Sequence, residues 1–152
     1  MPNSKNFVKY WLWPILWMVA IFSASADDKS YQHSSRFFEP FIRWLFPHLP
    51  PEQVETLHHF FRKCCHVAEY AILAVLLWRA IHSRQKNIPR RWDWTEAGFT
   101  LSLVFTYAAS DEFHQIFVPT RTARFTDVCI DTLGGLLGLT LLFLVRKVFR
   151  RQ

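Results

Sequence analysis

The longest stretches of this chain free of Asp, Glu, Lys and Arg are 10–26, 70–78, 97–110 and 132–145. A helix that spans a bilayer needs about 20 mostly apolar residues, so each run reaches that length only by taking in polar residues at one end. Extended in this way they predict four transmembrane helices, near 10–26, 64–81, 97–118 and 128–145. Between the first two lies an external connection, 27–63. Within it Phe37, Phe38, Phe41, Ile42, Leu45 and Phe46 recur at helical spacing, with Arg36, Glu39 and Arg43 between them. That pattern predicts an amphipathic helix over 35–46, lying on the membrane surface or packed over the bundle. Pro47, Pro50 and Pro51 end it. Pro51 suits the first turn of a following helix, with Glu52 and Glu55 near its positive end, and that helix is expected to run unbroken through His59, Arg62 and His66 into the second span. The expected fold class is therefore all-α: a polytopic membrane bundle of four transmembrane helices with an external amphipathic helix, one domain across residues 1–152.

Charge sets the topology. The N-terminal tail, the 79–96 connection and the C-terminal tail carry Lys5, Lys9, Arg79, Arg84, Lys86, Arg90, Arg91, Arg146, Lys147, Arg150 and Arg151 against Asp93 and Glu96, a net +9; the rest of the chain supplies −3 of the total +6. Cytoplasmic loops are rich in Lys and Arg, which places both termini inside a bacterial cytoplasmic (inner) membrane. These cations flank spans and form no single surface, so nucleic acid is not an expected partner; the lipid bilayer is. Lys5, Lys9 and Ala24-Ser25-Ala26 also fit a cleavable secretory signal, which would still deliver residue 27 to the outer side. Cys64, Cys65 and Cys129 imply no disulfide framework. In the fourth span Gly134-x-x-x-Gly138 predicts close approach of a neighbouring helix.

The chemistry-bearing residues sit where apolar sequence makes them expensive, at about 2.5–3.5 kcal/mol each for a charge facing lipid at a helix centre. On the second span His59, Lys63, His66, Glu69 or Tyr70 fall on one stripe; on the third Asp111, His114 and Gln115 share a face; on the fourth Asp127 and Asp131 align with Gly134 and Gly138. At 1.5 Å per residue, Glu69, Asp111 and Asp131 each lie roughly 6–11 Å inside the external end of their span, so three polar faces are expected to meet at one level. Three readings stand side by side. The groups form a self-satisfied charge network that pairs Arg62, Arg121 or Arg124 with acids. Or Arg62, Lys63, Arg121 and Arg124 hold a phosphate or carboxylate, with His66 or His114 moving a proton. Or His66, Glu69, Asp111 and His114 bind a divalent metal, the one cofactor that enters as an alternative where none is otherwise expected. His33, His48, His58 and His82 read as surface or interface groups, the seven tryptophans mostly as interfacial anchors. Ser23 and Ser25 have no evident base beside them.

Phe22-Ser23-Ala24-Ser25, Arg62-Lys63-x-x-His66-x-x-Glu69-Tyr70, Asp111-Glu112-x-His114-Gln115-x-Phe117-x-Pro119-x-Arg121, and Asp127 with Gly134-Gly135 occur in that order. Together they resemble the VanZ-like membrane proteins, a family named for a protein associated with teicoplanin (glycopeptide) resistance. The resemblance covers Phe22 to about Gly138. It implies functional candidates at Arg62, Lys63, His66, Glu69, Tyr70, Asp111, His114, Gln115, Arg121 and Asp127. The chain departs from the family pattern at Asp131, where an amide is more common, and at Thr120, where a glycine commonly follows the proline. The function expected from these residues is that of a VanZ-like envelope protein that binds an anionic ligand, a lipid head group or a cell-wall precursor, in an outward-facing polar pocket, with Arg124 and Asp131 added to the candidates. A hydrolase or transferase acting on a lipid-linked phosphate, with His66, Glu69, Asp111 and His114 as catalytic candidates, is the alternative from another class.

Overall fold

The computed structural model describes residues 4–26, 30–83, 92–117 and 124–149, with the backbone alone for 4–7, 26 and 30–34. It contains five helices: α1 (Ser4–Ala26), α2 (Ser30–Leu45), α3 (Pro51–His82), α4 (Trp94–Gln115) and α5 (Phe125–Phe149), with no strand among the described residues. Among the described residues three stretches are long and apolar enough to cross a membrane: Val8–Ser25 in α1, all of α3, and α5. The fourth expected span, 97–118, corresponds to α4. At 22 residues it has the length, about 33 Å at 1.5 Å per residue. It is not among the three apolar stretches, because Glu96 lies near one end and Asp111, Glu112 and His114 lie at the other.

Local sequence explains the helix boundaries. Pro51 opens α3 at its first position, where a missing N–H costs nothing, and Glu52 follows in the first turn while Arg79 and His82 close the last. The chain is unbroken from there across the expected boundary at residue 64. Helix α4 starts three residues before the expected span because Asp93 caps it, its carboxylate accepting from Thr95 N at 2.8 Å and Glu96 N at 3.3 Å. It ends in a turn at Ile116 and Phe117; residue 118 lies outside the described residues. Helix α2 starts five residues before the expected 35–46.

Helix α3 is the centre of the bundle and packs against all four others, most extensively against α5, while α1 also packs on α4 and α5 on α4. Gly134 of α5 faces the backbone of Val67, and Gly138 that of Ala71. Steps of four on one helix match steps of four on the other in the same sense, so α3 and α5 run parallel. The core gathers Ile21, Tyr70, Leu73, Trp78, Val104, Ala108 and Leu139. Long-range bonds fasten α1, among them Trp17 Nε1 donating to Glu69 O at 2.9 Å and Tyr107 Oη to Met18 O at 2.6 Å. Outside, α1 and α5 present Leu12, Trp13, Leu16, Leu137, Leu141 and Val148 in the open, the apolar coat of helices with lipid for solvent. Helix α2 divides its apolar residues between two faces. Ile42 is buried, and Phe38 stacks at 5.0 Å on both His58 and Phe61 of α3. Phe37, Phe41 and Trp44 stay exposed on the other side. It packs over the bundle and keeps a second apolar face outward.

Candidate functional site

Side chains from α1, α3, α4 and α5 come together where α1 and α4 end and α5 begins. On α4, Asp111 and Gln115 are one turn apart and buried, at 2% and 5% exposure. Gln115 Nε2 donates to Ser25 Oγ of α1 at 2.6 Å and to Asp111 Oδ2 at 3.3 Å. Glu112, also buried, accepts the backbone N–H of Arg124 at 2.9 Å, which ties the end of α4 to the start of α5. Lys63 of α3 forms an ion pair with Asp127 of α5. Asp131, one turn further along, is 5% exposed and lies within electrostatic range of Glu112, Asp111, Lys63 and Asp127. Glu69 lies within range of Asp111 and Arg62, and its carboxylate is 3.4 Å from His66 Nδ1.

Two aromatic groups complete the lining. Tyr70 is fully buried with its ring 6.0 Å from Tyr107, and its hydroxyl has no hydrogen-bond partner among the described residues. His114 rests against Phe22 at 4.5 Å, with Nδ1 buried and likewise unpartnered. The structure thus brings together Lys63, His66, Glu69, Tyr70, Asp111, Gln115, Asp127 and Asp131 of the expected set, with Arg62 beside Glu69 and His114 against α1. Arg124 joins through its backbone while its residue is exposed. Arg121 lies outside the described residues. His59, expected on the same stripe, turns away: its side chain is 64% exposed and paired with Glu55 one turn before.

Among the described residues the cluster is richer in acids than in cations. Glu69, Asp111, Glu112, Asp127 and Asp131 stand against Arg62, Lys63 and Arg124. Buried carboxylates are costly unless a cation or donor faces them, and Lys63 is the cation within range of Glu112, Asp127 and Asp131 alike. Among the described residues no three His, Cys, Asp or Glu are gathered to hold a metal ion, so His66, Glu69, Asp111 and His114 do not form the ligand set considered for one. Cys64, Cys65 and Cys129 are free thiols. Among the described residues, cavities elsewhere include one of about 400 Å³ at the α2–α3 corner and one of about 450 Å³ between α4 and α5.

Sequence reasoning left out two members of the cluster. Ser25 enters the sequence reading in the Phe22–Ser25 motif, in a possible cleavage site and as a serine with no base beside it, whereas in the structure it is an acceptor for Gln115. Glu112 directly follows Asp111, and two adjacent acids at the end of an apolar run were the available signal. Two of the four histidines expected at the surface or an interface lie at contacts between helices. His58 is fully buried under Phe38, because α2 folds back over α3. His82 Nδ1 pairs with Glu96 Oε2 at 2.7 Å, its ring stacked on Trp78 at 4.4 Å. Trp78 is likewise a core residue, 1% exposed.

Long apolar helices around a shared polar cluster define a helical membrane protein. The profile of the VanZ/LLP1 family matches residues 10–146, and the chain belongs to that family. No curated protein and no solved structure matches it.

Proposed function

We propose that this VanZ/LLP1 protein crosses the bacterial inner membrane four times, with both termini in the cytoplasm, and binds an anionic envelope ligand at the polar cluster on the outer rim. The ligand is a lipid head group or a cell-wall precursor. Arg62, Lys63, Arg121 and Arg124 face its phosphate or carboxylate, and His114 adds a donor. Asp127 and Glu69 orient the cations, and the Ser25–Gln115–Asp111 chain holds α1 and α4 at the right separation. The observation that carries this reading is the convergence of side chains from four helices, with Asp111 and Asp131 buried at 2% and 5% exposure, on one end of the bundle. Entry of α3 and α5 from the same side, as their parallel packing requires, supports the even number of spans. The test is binding of a fluorescent polyprenyl diphosphate to purified protein. Wild type binds it and an Arg62→Ala/Arg121→Ala variant does not; equal binding would dismiss the proposal. A link to glycopeptide susceptibility, which family membership suggests, is read separately from growth in teicoplanin with and without the expressed protein.

One observation favours a structural role instead. Lys63 already has Asp127, and Gln115 already has Ser25 and Asp111, so the network joins helices without any ligand. On that reading Asp111→Asn lowers the folded yield. Normal yield with lost binding leaves the ligand site as the explanation.

A further inference from the structure

At the opposite ends of α4 and α5 from the cluster, an apolar groove of about 450 Å³ runs between the two helices. Its walls include Ala97, Gly98 and Leu101 of α4 and Leu136, Leu139 and Phe143 of α5. Thr140, the polar exception on its α5 wall, spends its hydroxyl on Leu136 O at 2.8 Å. A Cβ placed on Gly98 would meet nothing within 4 Å, so the floor there is open. The volume lies within the roughly 300–1,000 Å³ typical of small-molecule sites. The α5 wall from residue 136 to 144 is about 12 Å long at 1.5 Å per residue. An elongated hydrocarbon fits such a slot.

The groove is not apolar at its end. Trp92 and Trp94 border it, the residues enriched where a membrane meets water. Lys147 Nζ lies 6.0 Å from the ring centre of Phe143, a wall residue, and Arg146 Cζ lies 4.6 Å from that of Trp78. Trp78 stacks on Trp92 at 5.2 Å. The indole N–H of Trp92 is buried with no acceptor among the described residues. The acids at this end are engaged, Asp93 as the cap of α4 and Glu96 with His82. A hydrocarbon slot with two cations beside its tryptophan-lined end calls for a ligand with an apolar tail and an anionic head.

We infer that the α4–α5 groove is a seat for one anionic phospholipid of the leaflet bordering the basic end of α5. Its acyl chain lies along Gly98, Leu101 and Leu139, and its phosphate meets Lys147 and Arg146. This seat is independent of the polar cluster. The experiment is native mass spectrometry of the full-length protein released from phosphatidylcholine nanodiscs doped with phosphatidylglycerol. Wild type retains one phosphatidylglycerol in preference to phosphatidylcholine. Gly98→Leu fills the floor and loses about tenfold in retention, some 1.4 kcal/mol. Lys147→Gln loses about two- to fivefold in preference for the anionic lipid, the range expected of an exposed charge. Glu52→Gln, in the first turn of α3 and away from both the groove and the cluster, changes neither. Should Gly98→Leu fold poorly, Thr140→Phe fills the groove from the other wall. Wild type that holds phosphatidylcholine as well as phosphatidylglycerol, or filling variants that retain the lipid like wild type, overturns the inference. So does a dimer that disappears in the filling variants, because a second copy is then the occupant.

Discussion

Replacing Gly138 by Ala should loosen the bundle at its tightest joint. The added methyl would sit 2.8 Å from Ala71 Cα and 2.9 Å from Ala71 C, and closer still to Ala71 O. These are backbone atoms and cannot rotate away. Ordinary contact begins at 3.4 Å, so α3 and α5 must part by about 1.1 Å to clear the Ala71 carbonyl oxygen. Overpacking of this kind costs about 1–3 kcal/mol. The better helix propensity of Ala returns about 1 kcal/mol, leaving a net loss of up to about 2 kcal/mol. For a chain of this size that is several degrees of melting temperature, at about 2–4 °C per kcal/mol. Gly134→Ala meets Val67 Cα at 2.9 Å and belongs with it. Gly135→Ala meets the Val104 side chain at 2.8 Å, which can shift, and should cost less. Gly98→Ala meets nothing and should keep or slightly raise stability. Thermal unfolding in detergent, followed by tryptophan fluorescence, ranks the four. The reasoning fails if Gly138→Ala melts with Gly98→Ala.

Asp93→Ala removes the α4 cap and should cost about 0.5–2 kcal/mol in the same melt; an unchanged midpoint would mean that the two N–H groups find other acceptors. Ser25→Ala leaves buried Gln115 with one acceptor fewer, and about 1–3 kcal/mol of stability should go with it. The Lys63–Asp127 pair is partly open, its side chains 44% and 20% exposed. A double-mutant cycle with Lys63→Ala and Asp127→Ala should therefore return a coupling of only about 0.2–1 kcal/mol, and several kcal/mol would mean a far drier pair. In a background without native cysteines, a membrane-impermeant maleimide applied to intact cells should label Thr126→Cys and spare Ser83→Cys; the reverse pattern would invert the proposed topology.

Helix existence and kind were legible because hydrophobic runs and punctuating prolines carry them directly. Pro51 marked the start of α3 unaided. The weak points were ends and insides. Asp93 was counted among topology-setting charges, since nothing in hydropathy distinguishes a solvated acid from a cap. The faces of α3, α4 and α5 could be drawn from steps of three and four, which set Glu69, Asp111 and Asp131 at one depth. Rotation about each helix axis was harder to foresee. His59 shares the stripe of Lys63 yet turns outward, 64% exposed, and pairs with Glu55. His58, its neighbour, is sealed by Phe38, and the return path of α2 that does this has no signature in the sequence of α3. The His82–Glu96 pair joins the end of one helix to the start of the next across a basic connection, and the distance along the chain hid it.

The two features that did show in the sequence of α5, the glycine stripe and the acids, are parts of one device. Asp127, Asp131, Gly134 and Gly138 follow each other at three- and four-residue steps, as do Lys63, Val67 and Ala71 on α3. Because the helices run parallel, the backbone contacts at Val67–Gly134 and Ala71–Gly138 fix their spacing just beneath the charged end. That spacing determines whether Lys63 reaches Asp127 while remaining within range of Glu112 and Asp131. Larger residues at 134 and 138 would move the acids of α5 away from the single lysine that offsets them, with lipid on the outside unable to replace it. Close packing is therefore a condition for keeping so many carboxylates in an apolar bundle, and the polar cluster depends on residues that carry no polar side chain at all.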